Sequence, residues 1–230
     1  MRKNNISNQG RRILAALVAV AVIAVGVPAG AQETAQLPDH VRIHAGDGGD
    51  RHVRRVSQQV AKLWELVEGH ARTVGMDEMP AMDIYVYGTQ NQARAATGRS
   101  EFATHYGYAL GSKAYLAMDN SLTGLAAHET LHILQNSLAG VEAQNRNYCL
   151  NEGASEWYAT AVELRAGTMS GKMKQRAASL RGEYGNAVRG DIAADDITPN
   201  DVVSYEGFFR VAESDPSGLY DLCTVAFWLL

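Results

Sequence analysis

Cysteine is scarce in this chain: Cys149 and Cys223 are the only two in 230 residues. Two thiols alone make no convincing metal site. Pairing and free burial both stay open, because sequence does not say whether their Cα atoms come close enough for a bond. Basic residues are also scarce once the first segment is set aside. Residues 1–31 hold Arg2, Lys3, Arg11 and Arg12 and no acid. The rest carries 17 basic against 25 acidic residues, a net charge of −8 where the whole chain has −4. An acidic protein without a basic cluster argues against nucleic acid and anionic membrane surfaces as partners. No apolar run reaches the ~20 residues that span a bilayer, and no internal repeat or low-complexity tract stands out. The whole is 46% apolar and 20% charged, a composition that suits one globular domain with a core of its own.

The longest apolar run, Ile13 to Val27, has 15 residues. It follows the four basic residues, is broken by Pro28, and leads to Ala29-Gly30-Ala31, a small-x-small cleavage site. These features predict a signal peptide over 1–31, a linker over 32–40 and a domain over 41–230. The protein is then secreted or periplasmic, with no stable membrane span after cleavage. N-terminal sequencing of the exported protein is expected to begin at or near Gln32; retention of the apolar run would overturn this.

Further along, "VRIHAG" reads as a short strand. Asp50 is placed to cap a helix in which Val53, Val56, Val60, Leu63 and Val67 recur at helical spacing, and Gly69 and Gly75 weaken helix beyond it. "MDIYVYG" alternates as a strand, "TQNQARAATG" suggests a short helix, and "GYALGSKAYLAMDN" a pair of turn-linked strands. A helix is expected from Ser121 to Leu138, closed by Gly140, and another from Asn151 to Ala166, closed by Gly167. "MKQRAASLRGEYG", "ITPNDVVSYEGFF" and "YDLCTVAFWLL" suggest a helix, a loop leading to a helical turn, and an apolar helix. The apolar end at Trp228-Leu229-Leu230 implies that the sequence is truncated or that more chain packs there.

The chemistry concentrates in "HETLH". Residues i and i+4 share one helical face, so His128 and His132 can offer both imidazoles to one zinc ion. Glu129 follows the first histidine and is placed to reach a water at the metal rather than the metal itself. Two ligands and a carboxylate base make up the zinc-peptidase arrangement. A third ligand is needed, with the fourth position left for water. "LNEGASEWY" supplies Glu152, 20 residues after His132. The plain alternative for Glu152 is a carboxylate stabilised by a helix N-terminus.

"HETLH" followed by "NEGASE" resembles the gluzincin branch of zinc metallopeptidases, in which HExxH precedes a glutamate within an asparagine-glutamate element on the next helix. The resemblance implies an α+β, zincin-like peptidase domain of the MA-like kind over about 41–230, with a small sheet and an HExxH helix. It implies Zn2+ as cofactor, His128, His132 and Glu152 as ligands, Glu129 as general base, and a peptide or protein substrate. Glu156 matches the acidic residue that hydrogen-bonds a ligating histidine, a supporting role also expected on general grounds. In such folds the strand before the catalytic helix lies at the lip of the cleft, where an extended substrate adds to a free edge. Ala114 to Asp119 would be that edge; an ordinary buried strand is the equal alternative.

Tyr158, Tyr205, His105 and Tyr220 are available as oxyanion donors, though each also has an ordinary structural reading. His40 and His44, together with His52 and His70, read as surface or packing residues. Two rivals stand beside the peptidase. One is a non-catalytic zincin-like module that binds a peptide or cell-envelope partner, which has no need of Glu129. The other is a closed structural zinc site, for which Cys149, three residues before Glu152, is the nearest fourth ligand.

Overall fold

The computed structural model describes residues 37–103, 105–119, 124–140 and 148–169, with 171, 223, 224 and 227. The expected signal peptide and most of the linker lie outside these residues. So do the elements expected at 173–185 and 197–209, and most of 220–230.

Alternating strands and helices build the first half: β1 (Val41–Ala45), α1 (Asp50–Thr73), β2 (Met82–Tyr87), α2 (Gln90–Thr97), a 3-10 turn (Ser100–Ala103), β3 (Gly107–Leu110) and β4 (Lys113–Ala117). Two long helices follow, α3 (Leu125–Ala139) and α4 (Tyr148–Ala166). The described residues are therefore α+β, as expected. The sheet order is β1-β2-β4-β3, with β1, β2 and β4 parallel and β3 antiparallel to β4.

Alternation along the strands assigns the faces. Met82, Ile84 and Val86 of β2, with Ala114 and Leu116 of β4, are buried towards α1, α3 and α4 in one core. Val56, Val60, Leu63 and Val67 meet them from α1, each within 4% of full burial, as their spacing predicts. Across the sheet, α2 and the 3-10 turn cover one end, where Ala93 and Phe102 pack against Tyr87 and Ala117. Beside that cluster His44, Tyr85 and Tyr115 stack in register, with ring centroids 4.7 and 5.0 Å apart.

Four expectations shift, besides the start of α3, which falls at Leu125 rather than near Ser121. Asp50 lies in the first turn of α1, and the cap position falls to Gly49 with no side-chain cap. A Cβ on Gly49 would stand 1.9 Å from the Val86 carbonyl oxygen, so only glycine fits where the chain crosses β2. The helix runs past Gly69 to Thr73 because burial of Ala71 extends its apolar face. α4 begins at Tyr148 rather than Asn151.

The fourth shift concerns the sheet edge. Ala114 to Ala117 belong to β4, which is bonded to β2 on one side and β3 on the other, the buried-strand alternative, so among the described residues the sheet edge beside α3 is β3. A two-residue turn at Gly111, whose φ is +58°, folds β3 back onto β4 and closes the edge that sequence order suggested. Among the described residues no helix is long and apolar enough to cross a membrane.

Candidate metal centre

α3 packs on β3 and β4 of the sheet and against α1 and α4, and every residue from Ala126 to Gln135 is buried. Its N-terminal end has no capping side chain of its own. Gln59 of α1 supplies one instead: its Oε1 accepts the Ala126 N–H at 3.2 Å. Gly140, at φ +78°, closes the other end, as expected. The helix therefore carries a polar motif into the interior, which costs free energy unless each group is satisfied.

His128, His132 and Glu152 converge. The two Nε2 atoms are 3.0 Å apart. The Glu152 carboxylate spans them, Oε2 at 3.3 Å from His128 Nε2 and Oε1 at 3.3 Å from His132 Nε2. All three residues are buried, and they form a group whose ligand atoms lie within 4.8 Å of one another. A tetrahedral ion with bonds of about 2.0–2.1 Å separates its ligand atoms by about 3.3–3.4 Å. Two imidazole nitrogens and a carboxylate oxygen at this spacing fit a metal ion.

The charge distribution agrees. Burial opposes a charge on His128, but Glu156, Glu152 and Glu129 outweigh it and hold its pKa well above the ordinary histidine range. Burial is likewise outweighed at His132, chiefly by Glu152. Burial alone would raise Glu152, yet His132 and His128 hold its carboxyl well below the usual carboxylate range. The cluster draws in positive charge. One proton can bridge the 3.0 Å gap between the nitrogens, and a cation at the centre would meet both nitrogens and the carboxylate together.

Both rings are backed on their far side. His128 Nδ1 meets Glu156 Oε1 at 3.1 Å, and His132 Nδ1 meets Gln135 Oε1 at 3.0 Å, with Ser155 Oγ at 3.3 Å. An acceptor at Nδ1 keeps the hydrogen there and leaves the Nε2 lone pair for a metal. Glu156 thus stands where the sequence placed it, with its side chain 43% exposed. Gln135 and Ser155 were not anticipated. The available signal was spacing: Gln135 is three residues after His132, and Ser155 three after Glu152, each on the face of its ligand.

Glu129 is outside the ligating trio. Its side chain is buried against the first residue of β3: a Cβ on Gly107 would stand 2.3 Å from Glu129 Oε1 and 2.8 Å from its Cδ. Burial pushes its carboxyl pKa above the ordinary range, partly offset by His128 and His132. Glu152 lies in the second turn of α4, away from the first-turn N–H groups, which weakens the helix-terminus reading of that residue.

Cys149 and Cys223 form a disulfide. Neither thiolate is free to ligate, which removes the closed site built on Cys149. The same segment explains the glycine of "NEG". A Cβ on Gly153 would stand 2.0 Å from the Cys223 carbonyl oxygen, so the backbone at Cys223 rests directly on α4 beside Glu152.

The remaining histidines behave as packing residues. His44 Nε2 stands 2.7 Å from Asp83 Oδ1, and the His40 ring bonds the Met79 carbonyl. His52 stands beside Arg51 on α1. Among the oxyanion candidates, Tyr158 is buried and its phenol pKa is pushed up by that burial. His105 Nδ1 faces the Glu101 carbonyl at 3.3 Å. Tyr205 and Tyr220 lie outside the described residues.

Comparison with protein-family models, curated proteins and solved structures finds no match. The reading of this centre rests on its own geometry and on the two motifs.

Proposed function

We propose that the protein is a secreted or periplasmic zinc metallopeptidase of gluzincin type on a zincin-like fold. The observation that carries this reading is the division of labour among buried groups. His128, His132 and Glu152 converge through Nε2, Nε2 and carboxylate oxygens, while the adjacent Glu129 turns its carboxylate to the edge strand. Two imidazoles and one carboxylate suit zinc, and three protein ligands leave a position open.

Bound zinc would supply Lewis acidity, polarising a peptide carbonyl and making water a nucleophile near neutral pH. The protein's own groups do the rest. Glu129 takes the proton from the attacking water and passes it to the leaving amine. Burial raises its affinity for that proton. Glu156 and Gln135 hold the two rings with Nε2 facing inward. The open edge of β3, which begins at Gly107 beside Glu129, suits an extended peptide that adds as a further strand.

Gly107→Ala tests whether that edge and the base act together. No positive φ bars alanine at 107, and the three atoms nearest the added methyl group all belong to the Glu129 side chain. The new methyl group should displace the carboxylate and leave the ligands alone. Zinc content should stay near wild type while kcat falls by about 10²-fold, the cost of misplacing a reacting group by about 1 Å. Zinc analysis with initial rates on a peptide substrate checks this.

The direct test of function is a digest of casein or a peptide library by the mature protein, with chelator and with zinc added back. Cleavage that chelator removes and zinc restores is expected. Zinc-loaded protein that cleaves nothing would instead favour the zincin-like binding module.

A further inference from the structure

We propose that Gln135 is a positioning residue that fixes the ligating form of His132 and ties it to the helix carrying Glu152. The inference rests on the zinc reading above and names a role for a residue that neither motif includes.

The Gln135 side chain is buried, with 8% of the residue exposed, and it spans α3 and α4. Its Nε2 donates to the Asn151 carbonyl oxygen at 3.2 Å, and its Oε1 meets His132 Nδ1 at 3.0 Å. The two ends of an amide look alike in shape, but their partners differ in chemistry. A backbone carbonyl only accepts, so the end facing Asn151 must be the NH2 group. The end facing His132 is therefore the oxygen, which also only accepts. His132 Nδ1 must then donate, which in the neutral, metal-binding ring leaves the Nε2 lone pair facing Glu152 and His128. A carbonyl on α4 thus selects the tautomer of a histidine on α3, with one amide between them.

The same amide aligns the ligands in space. Asn151 directly precedes Glu152, so the Gln135–Asn151 bond anchors the backbone next to the third ligand to the residue that holds the second. His128 is supported differently. Its Nδ1 faces Glu156, a half-exposed carboxylate, whereas His132 lies deeper and has a neutral partner.

The test uses the full mature protein, zinc and cobalt, and two substitutions. Gln135→Met keeps the bulk and loses both bonds. It should bind zinc about 10–100-fold more weakly in competition with a chromophoric chelator, and its bound cobalt should show an altered visible spectrum. Gln135→Glu keeps an oxygen for His132 Nδ1 but loses the donor to Asn151. It should recover most of the zinc affinity, while its metal-free form melts below wild type, as that of Gln135→Met does. Wild-type zinc affinity in Gln135→Met overturns the proposal. So does a Gln135→Glu variant no better than Met, which would make Gln135 a packing residue only.

Should neither variant fold, zinc-loaded wild-type protein still decides. Ring nitrogen-15 shifts of His132 must show a proton on Nδ1 and metal at Nε2, and the reverse assignment overturns the proposal. Wild-type protein that takes up no zinc would fell the proposed function itself, which separates the two failures.

Discussion

Glu129→Gln is expected to hold zinc at near wild-type content and to lose peptide hydrolysis by about 10²–10⁴-fold or more, the range for a positioned general base. The substitution keeps shape and removes basicity. Glu129 is buried, fits against Gly107 and is outside the ligating trio. Glutamine fills the same slot, so the fold and the ligands are undisturbed. Its amide cannot take a proton from water, and proton removal and nucleophile formation fail together. Zinc content and initial rates on one peptide substrate make the comparison. Normal turnover in this variant would remove Glu129 from the mechanism and the hydrolytic reading with it.

The second large effect separates the two glutamates of "NEGASE". Glu152 is 3% exposed, and its two oxygens each stand 3.3 Å from a histidine Nε2. Glu152→Ala leaves two protein ligands and a buried pair of imidazoles, and should abolish stable zinc binding. Glu156 meets the far nitrogen of His128, at 3.1 Å, from a side chain 43% exposed. Glu156→Ala should keep the site and weaken it by about 10–100-fold. Zinc affinities of both variants, by competition with a chromophoric chelator, give the answer. If Glu156→Ala loses the metal and Glu152→Ala keeps it, the ligand belongs one helical turn later.

The parts of the centre that sequence made legible are those set by spacing along one helix. His128 and His132 meet because four residues make about one turn, and no tertiary detail is needed. Glu156 was legible for the same reason, one turn after Glu152. Gln135 obeys the same rule but carries no catalytic signature, so nothing marked it out before its bond to Asn151 was seen. Gly107 was illegible for a different reason. Its partner is 22 residues away, and a glycine at the start of a short strand has several ordinary explanations. The sheet follows this division. Strand positions follow from alternation, but the order β1-β2-β4-β3 depends on pairings that no local pattern encodes. Sequence therefore left Ala114 to Asp119 open between a free edge and a buried strand, and the pairings favour the second. The expected helix starts at Asn151, whereas α4 begins one turn earlier, at Tyr148, next to the disulfide-bonded Cys149.

That disulfide links chemistry to geography. It joins residues 74 apart and closes over the turn that carries Glu152, and in a chain-entropy account a loop of that length contributes about 4 kcal/mol. A newly made chain in a reducing compartment has the whole of "HETLH" and "NEGASE" but lacks this clasp, so its third ligand is less firmly held. On the proposed function and export, oxidising surroundings would complete the grip on the metal. A hydrolase built this way would stay weakly armed among the proteins of the cell that makes it and come to full strength after export.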